Sequence, residues 1–209
     1  SISICGYALA AAIIFTYVGQ SGEYAVAGYG AGTRIEQVVL LPILGINTAI
    51  ISIISQNFGA RSFDRIKETY FTAIKYAFVI MITSGIIVFI LAGFITSIFS
   101  SDPEVIEYGK RYLKISAFVL PAYPVFFLSN GFFMALKKSE NAMISNFFRN
   151  ILNPIVVFFI ARYIGASFET FFWIWVGINW FFSISYFLIV IYYFKTRLDK
   201  SSAVVQPSP

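Results

Sequence analysis

The chain has 209 residues, of which 58% are hydrophobic and 12% charged, with a net charge of +5. A soluble domain carries about a quarter charged residues, and 24 Phe with 13 Tyr are more aromatic surface than one core of this length hides from water. The composition excludes an ordinary soluble fold and points to an all-α integral membrane protein whose solvent is the lipid bilayer.

A spanning helix needs about 20 mainly apolar residues, and the sequence offers six such runs joined by short connections. The first covers residues 2–19 and ends in the polar turn Gln20-Ser21-Gly22-Glu23. The second covers 28–57 and stops at Gly59. A polar amphipathic stretch over 61–67 follows, with Ser62 placed to cap a short helix and Asp64 in its first turn. The third span covers 70–99. Ser101-Asp102-Pro103-Glu104 then reads as a helix start, with a capping side chain, Pro at the first position and an acid in the first turn. It opens the fourth span, 104–136, whose first turns are polar and interfacial. The fifth covers 141–164 and the sixth 168–194. Residues 1–198 thus form one six-helix membrane lobe, and the small polar tail 199–209 is expected to be disordered.

Six spans place both termini on one side of the membrane. Ten basic residues (Arg61, Arg65, Lys67, Lys75, Lys137, Lys138, Arg149, Lys195, Arg197, Lys200) fall on that side, against Lys110, Arg111, Lys114 and Arg162 on the other. The bias predicts cytoplasmic termini. These clusters sit between apolar runs and not along one polar face, so they are topology signals and not a nucleic-acid patch.

Histidine is absent, which excludes a His-based metal site or a His proton relay; no metal site and no organic cofactor are expected. Cys5 is the single cysteine, so an internal disulfide is excluded, and it is expected to pack as a small apolar residue. Ser1 leads directly into apolar sequence without a basic leader. That is not a signal peptide but reads as a chain cut near the start of a helix.

Polar residues are expensive in spans, and the second span carries the most informative ones. Arg34 and Glu36 lie inside a long helical pattern, where ionisable groups face a bundle interior or water. At 100° per residue, Arg34, Gln37, Leu41, Thr48, Ser52 and Ser55 fall within an arc of about 60°, a polar stripe several turns long. Glu36 and Asn47 share a different face, so Glu36 is expected to meet a partner from another helix. Pro42 with Gly45 predicts a kink in this span, Pro121 and Pro124 distort the fourth, and Asn153-Pro154 the fifth. Ser129-Asn130-Gly131 lies at depth in the fourth span. Asn146, Arg149, Asn150 and Asn153 follow the spacing of one helical face, suited either to helix–helix hydrogen bonding or to lining a cavity. Phe171, Phe172, Trp173, Trp175, Trp180, Phe181 and Phe182 crowd the last span; an interfacial, lipid-facing belt is favoured over an aromatic wall for cationic substrates.

Several of these stretches together resemble the multidrug and toxic compound extrusion family, specifically its second six-helix half. They are Val26-Ala27-Gly28-Tyr29-Gly30 leading to Arg34-Ile35-Glu36, Pro42 with Gly45, Gln56-Asn57-Phe58-Gly59-Ala60-Arg61 with Asp64-Arg65, Asn130-Gly131 with Met134-Ala135, and Arg149 with Pro154 and Gly165. The resemblance covers most of the chain and implies one lobe of a twelve-helix, two-lobe transporter in the plasma membrane. It further implies a secondary antiporter that exports amphipathic, often cationic, organic molecules against inward Na⁺ or H⁺. Its partner would be an N-terminal six-helix lobe or a second copy of the chain. Glu36 matches an acid that many members carry in the second helix of this half. The first span holds no acid, and the fourth none beyond Glu107, so either Glu36 serves coupling or the main cation site lies in the other half. An alternative is a flippase of lipid-linked polar substrates, which would favour several cavity cations; only Arg34 and Arg149 qualify. A membrane enzyme is disfavoured, because no clustered carboxylates or Cys pair lie at depth.

Overall fold

A computed structural model of the chain describes residues 2–198, and all of its regular structure there is helical. Eight α-helices are present among the described residues: α1 (Ile2–Val18), α2 (Glu23–Gly59), α3 (Phe63–Ser97), α4 (Pro103–Ser116), α5 (Ala122–Ala135), α6 (Ser139–Phe147), α7 (Asn153–Ile164) and α8 (Phe168–Tyr193). Four passages are long and apolar enough to cross a membrane: Glu23–Gly59, Phe63–Ser97, Ser139–Ile164 and Phe168–Thr196. Two shorter apolar helices, Ala8–Ser21 and Ala122–Ala135, accompany them. The expectations for Cys5 as a packed side chain and for the tail 199–209 lie outside the described residues.

The helix ends follow their local chemistry. Asp102 accepts a hydrogen bond from Glu104 N at 2.9 Å while Pro103 occupies the first turn of α4, where its missing N–H costs nothing. Ser167 caps α8 by accepting from Thr170 N at 3.3 Å, and Gly165 ends α7 at φ +63, the left-handed cap that glycine adopts without penalty. Ser62 departs from expectation. Its side chain makes no cap bond, and the stretch 61–67 forms no separate helix: from Phe63 onward it is the opening of the 35-residue α3.

Prolines shape three passages differently. Helix α2 runs unbroken through Pro42. The expected single fourth span is instead two helices, parted at residues 117–121. Pro121 offers no N–H to the carbonyl one turn earlier, and the chain crosses the gap on tighter bonds, Val119 N to Ser116 O at 2.9 Å and Ala122 N to Val119 O at 2.9 Å. The fifth passage holds a π-helical segment, Phe148–Leu152, just before Pro154, the kind of bulge that recurs at functional sites.

Two apolar clusters hold the lobe together. One joins Tyr17, Tyr29, Ile43, Met81, Leu113 and Phe171; the other joins Ile54, Tyr70, Phe132, Phe133, Tyr186 and Phe194. Small residues let backbones approach between them, as membrane interfaces require. A Cβ on Gly28 of α2 would stand 2.7 Å from Gly109 N of α4. The aromatic residues of α8 divide between roles. Phe171 and Phe172 are buried in the first cluster, with Phe171 stacked on Tyr17 at 4.3 Å, whereas Phe181 is exposed. The expected belt therefore accounts for only part of that cluster, because the face bearing 168, 171 and 172 packs inward.

Candidate functional site

Helix α2 presents two faces with opposite environments. Ala25, Gly28, Gly32, Ile35, Ile43, Ile50 and Ile54 are buried against the lobe. Arg34, Gln37, Leu41, Thr48, Ser52 and Ser55 are all exposed. At 100° per residue the polar stripe stands nearly opposite the buried face, so most of it looks out of the lobe, while Ser55 at its end donates to Ala135 O of α5 at 3.2 Å. Glu36 and Asn47 lie on the inward side.

Glu36 is the centre of the candidate site. The Tyr112 hydroxyl of α4 donates to its Oε2 and the Tyr123 hydroxyl of α5 donates to its Oε1. The carboxylate thus has one phenolic donor per oxygen, supplied from either side of the break at 117–121. In a straight α-helix those two tyrosines would stand about 16 Å apart along the axis, so the interruption falls between the two groups that converge on one acid. Both rings are fixed. Tyr112 packs edge-on against Tyr29 at 5.0 Å and Phe172 at 4.8 Å, and Tyr123 against Phe127 at 6.2 Å. Gly32, one turn before Glu36, makes room for the Tyr112 ring; a Cβ there would collide with it. A small cavity of about 10 Å³ lies beside Glu36, lined by Tyr112, Ser116, Phe172 and Trp175 among others, about the space of one water.

Arg149, in the π segment, is the neighbouring cation. Its guanidinium lies 5.0 Å from the Tyr123 ring centroid, 4.4 Å from Phe126 and 5.0 Å from Phe127, so it sits on the ring whose hydroxyl donates to Glu36. Three aromatic faces are a favourable seat for a guanidinium in a dry setting. Of the residues singled out in the sequence, the structure thus brings Glu36 and Arg149 together. It adds Tyr112 and Tyr123, which sequence reading missed, because a lone Tyr in an apolar helix carries no signal of what its hydroxyl meets.

The remaining candidates are dispersed. Arg34 and Gln37 are on the outward stripe. Asn47 lies against Gly131, where a Cβ would collide with its Oδ1, and that buried oxygen has no hydrogen-bond partner. Asn130 donates to Ala142 O at 3.3 Å, tying α5 to α6. Asn150 is half-buried, while Asn153 is fully buried with neither amide atom partnered. Of the four polar residues expected on one face, 146, 149 and 150 are half-buried and 153 is buried, and the π segment Phe148–Leu152 falls among them. Among the described residues no group of three or more His, Cys, Asp or Glu is arranged to hold a metal ion.

The sequence profile of the MatE family matches residues 1–159. The chain belongs to the MatE family. Within it, the chain is 26% identical over 164 residues to the probable multidrug resistance protein YpnP of Bacillus subtilis, covering 78% of this chain and 34% of that protein. It is 27% identical over 145 residues to the probable multidrug resistance protein NorM of Thermotoga maritima, covering 68% of this chain and 28% of that one. A third relative, the FAD transporter of Shewanella oneidensis, is 32% identical over 107 residues, or 51% of this chain and 24% of that one. The fold matches that of a MOP superfamily transporter from Pyrococcus furiosus with a TM-score of 0.87 at 20% identity, over 96% of this chain and 45% of that one. An outward-facing MATE transporter matches with a TM-score of 0.83 at 20% identity, over 97% and 45%. The chain therefore spans a quarter to a third of the length of these curated relatives and has the fold of a little under half of these solved transporters. MatE proteins are multi-pass membrane transporters and not enzymes.

Proposed function

We propose that this MatE chain is the second lobe of a secondary antiporter of the plasma membrane, with cytoplasmic termini, exporting amphipathic organic compounds against an inward cation gradient. The observation that carries the reading is the Glu36 centre: one acid within a spanning helix, met by two phenol donors and neighboured by Arg149. An ionisable group at such depth marks an ion pathway. The relatives named for multidrug resistance supply the substrate class. A proton is the coupling ion this centre favours. One carboxylate and two hydroxyls offer few oxygens compared with the shell of about six that hard cations such as Mg²⁺ and Ca²⁺ take, whereas a proton needs a single oxygen. The outward polar stripe of α2 forms one wall of the transport path, completed by the other lobe.

One observation favours a second substrate reading. The stripe bears a cation, Arg34, and no acid, which suits an anionic aromatic compound better than an organic cation and agrees with the FAD transporter among the relatives. The flippase alternative calls for several such cations; Arg34 is the one the stripe offers, and Arg149 lies instead among aromatic rings. Everted vesicles carrying the complete transporter test these readings. Uptake of ethidium driven by a pH gradient supports the drug antiporter, uptake of FAD supports the anionic reading, and failure of both gradients, H⁺ and Na⁺, to drive either substrate contradicts antiport.

A further inference from the structure

A groove of about 620 Å³ opens on the outer surface of the lobe between α3, the break at 117–121 and α8. That is within the range of about 300–1,000 Å³ found for ligand pockets. Its floor is made of small or ring-closed residues, Gly85, Ala117 and Pro121, and its walls include Phe89, Trp173 and Trp180. The floor is low because α3 comes close to the break: a Cβ on Gly85 would stand 3.0 Å from Ala117 O. The walls are rigid. Trp180 Nε1 donates to Phe118 O at 2.8 Å, a carbonyl left over at the break, and Phe118 packs on Trp173 at 5.3 Å.

The groove has a direction and a charged end. Phe89 and Trp173 lie toward the connections at 98–102 and 165–167, while Ile82, Pro121 and Trp180 lie deeper. From Ile82 to Ile90 it extends about 12 Å, comparable with the roughly 15 Å of hydrocarbon in one leaflet. At the shallow end the Lys114 ammonium stands 5.5 Å from the Phe89 ring centroid. Its neighbours on α4 are already paired: Lys110 with Glu107 at 3.0 Å, and Arg111 with Glu107 at 3.1 Å and Glu169 at 3.5 Å. Lys114 has no such carboxylate among the described residues. A cation at that level, above an apolar slot one leaflet deep, lacks an anion that the bilayer itself contains.

We propose that this groove binds one acyl chain of an anionic phospholipid, with the lipid phosphate neutralising Lys114. Two of the three tryptophans of the chain, Trp173 and Trp180, line the groove and report its occupancy. The test reconstitutes the 209-residue chain in vesicles and quenches its fluorescence with brominated phosphatidylglycerol in phosphatidylcholine, or with the labels reversed. The association constant for phosphatidylglycerol is expected to exceed that for phosphatidylcholine about fivefold, the value of one lysine near the membrane surface. In Lys114→Gln, a change at an exposed position, the ratio is expected to fall to about one. Ile86→Phe, which narrows the groove from its lipid-facing side and leaves Lys114 in place, is expected to lower the ratio as well. A ratio near one in the unaltered chain, or a ratio that Lys114→Gln leaves unchanged, overturns the proposal. A ratio that survives Ile86→Phe overturns the groove as the seat of the acyl chain.

Discussion

Glu36 is costly where it stands, and its two tyrosine partners offset that cost. Hydrogen bonds to a charged group contribute about 1.5–3 kcal/mol each, and low dielectric raises the penalty for losing one. Tyr112→Phe and Tyr123→Phe are each expected to destabilise the lobe by about 1–3 kcal/mol. Combined with Glu36→Gln, the losses are expected to be less than additive, because the three groups form one network; thermal unfolding in detergent measures this cycle, and additive losses would show that the tyrosines do not support the acid. Gly32→Ala is expected to act through the same network. Its methyl displaces the Tyr112 ring at an overpacking cost of about 1–3 kcal/mol, and transport is expected to fall with it, whereas Gly30→Ala, where no neighbour lies within 4 Å, leaves transport intact. Asn153 is the converse case. Both of its buried amide atoms lack partners, so Asn153→Leu removes an unpaid desolvation cost of about 1–3 kcal/mol, and a raised melting temperature is the expected readout.

At the scale of elements, the interruption of the fourth passage connects sequence to site. Pro121 parts α4 from α5, and Tyr112 and Tyr123 reach one carboxylate from the two sides. Pro121→Ala restores a backbone donor and lets the helix close across the gap. Transport is then expected to fall while the chain remains folded, with the change visible as a longer distance between spin labels placed on α4 and α5; an unchanged distance would place the cause of the break elsewhere. The sequence showed that Pro121 and Pro124 would distort this passage, but it did not show a division into two helices, because one proline in a membrane helix is compatible with a mild kink as well as a break. The same limit applies to 146–153. The spacing suggested one polar face on a regular α-helix, and the π segment Phe148–Leu152 within it is announced by no residue pattern. The two faces of α2 were legible, since they follow from 3.6-residue periodicity alone. So was the need of Glu36 for a partner on another helix, although the identity of that partner depends on how the passages pack.

For the whole molecule, six apolar runs were readable from composition and length, because lipid imposes a fixed helix length and internal backbone pairing. Among the described residues four helical passages are long and apolar enough to cross a membrane and two apolar helices are shorter, and most of the polar stripe of α2 is turned away from the core. A lobe with such an outward stripe is expected to present it to a second lobe, and single cysteines at Gln37 and Ser52, in a Cys5→Ala background, are expected to be protected from a membrane-impermeant thiol reagent once that lobe is present. If the termini are cytoplasmic, as proposed from the bias of the basic residues, a cysteine at Ser101 is expected to react from outside the cell and one at Ser139 only after permeabilisation. The proposed antiport requires that Glu36 couple transport to a cation gradient. It is tested most directly by pH-gradient-driven substrate uptake into everted vesicles carrying the complete transporter, with and without Glu36→Gln. Gradient-driven uptake that collapses in Glu36→Gln, at equal amounts of folded protein, is the expected result; uptake that keeps its rate and its dependence on the gradient in that variant would contradict it.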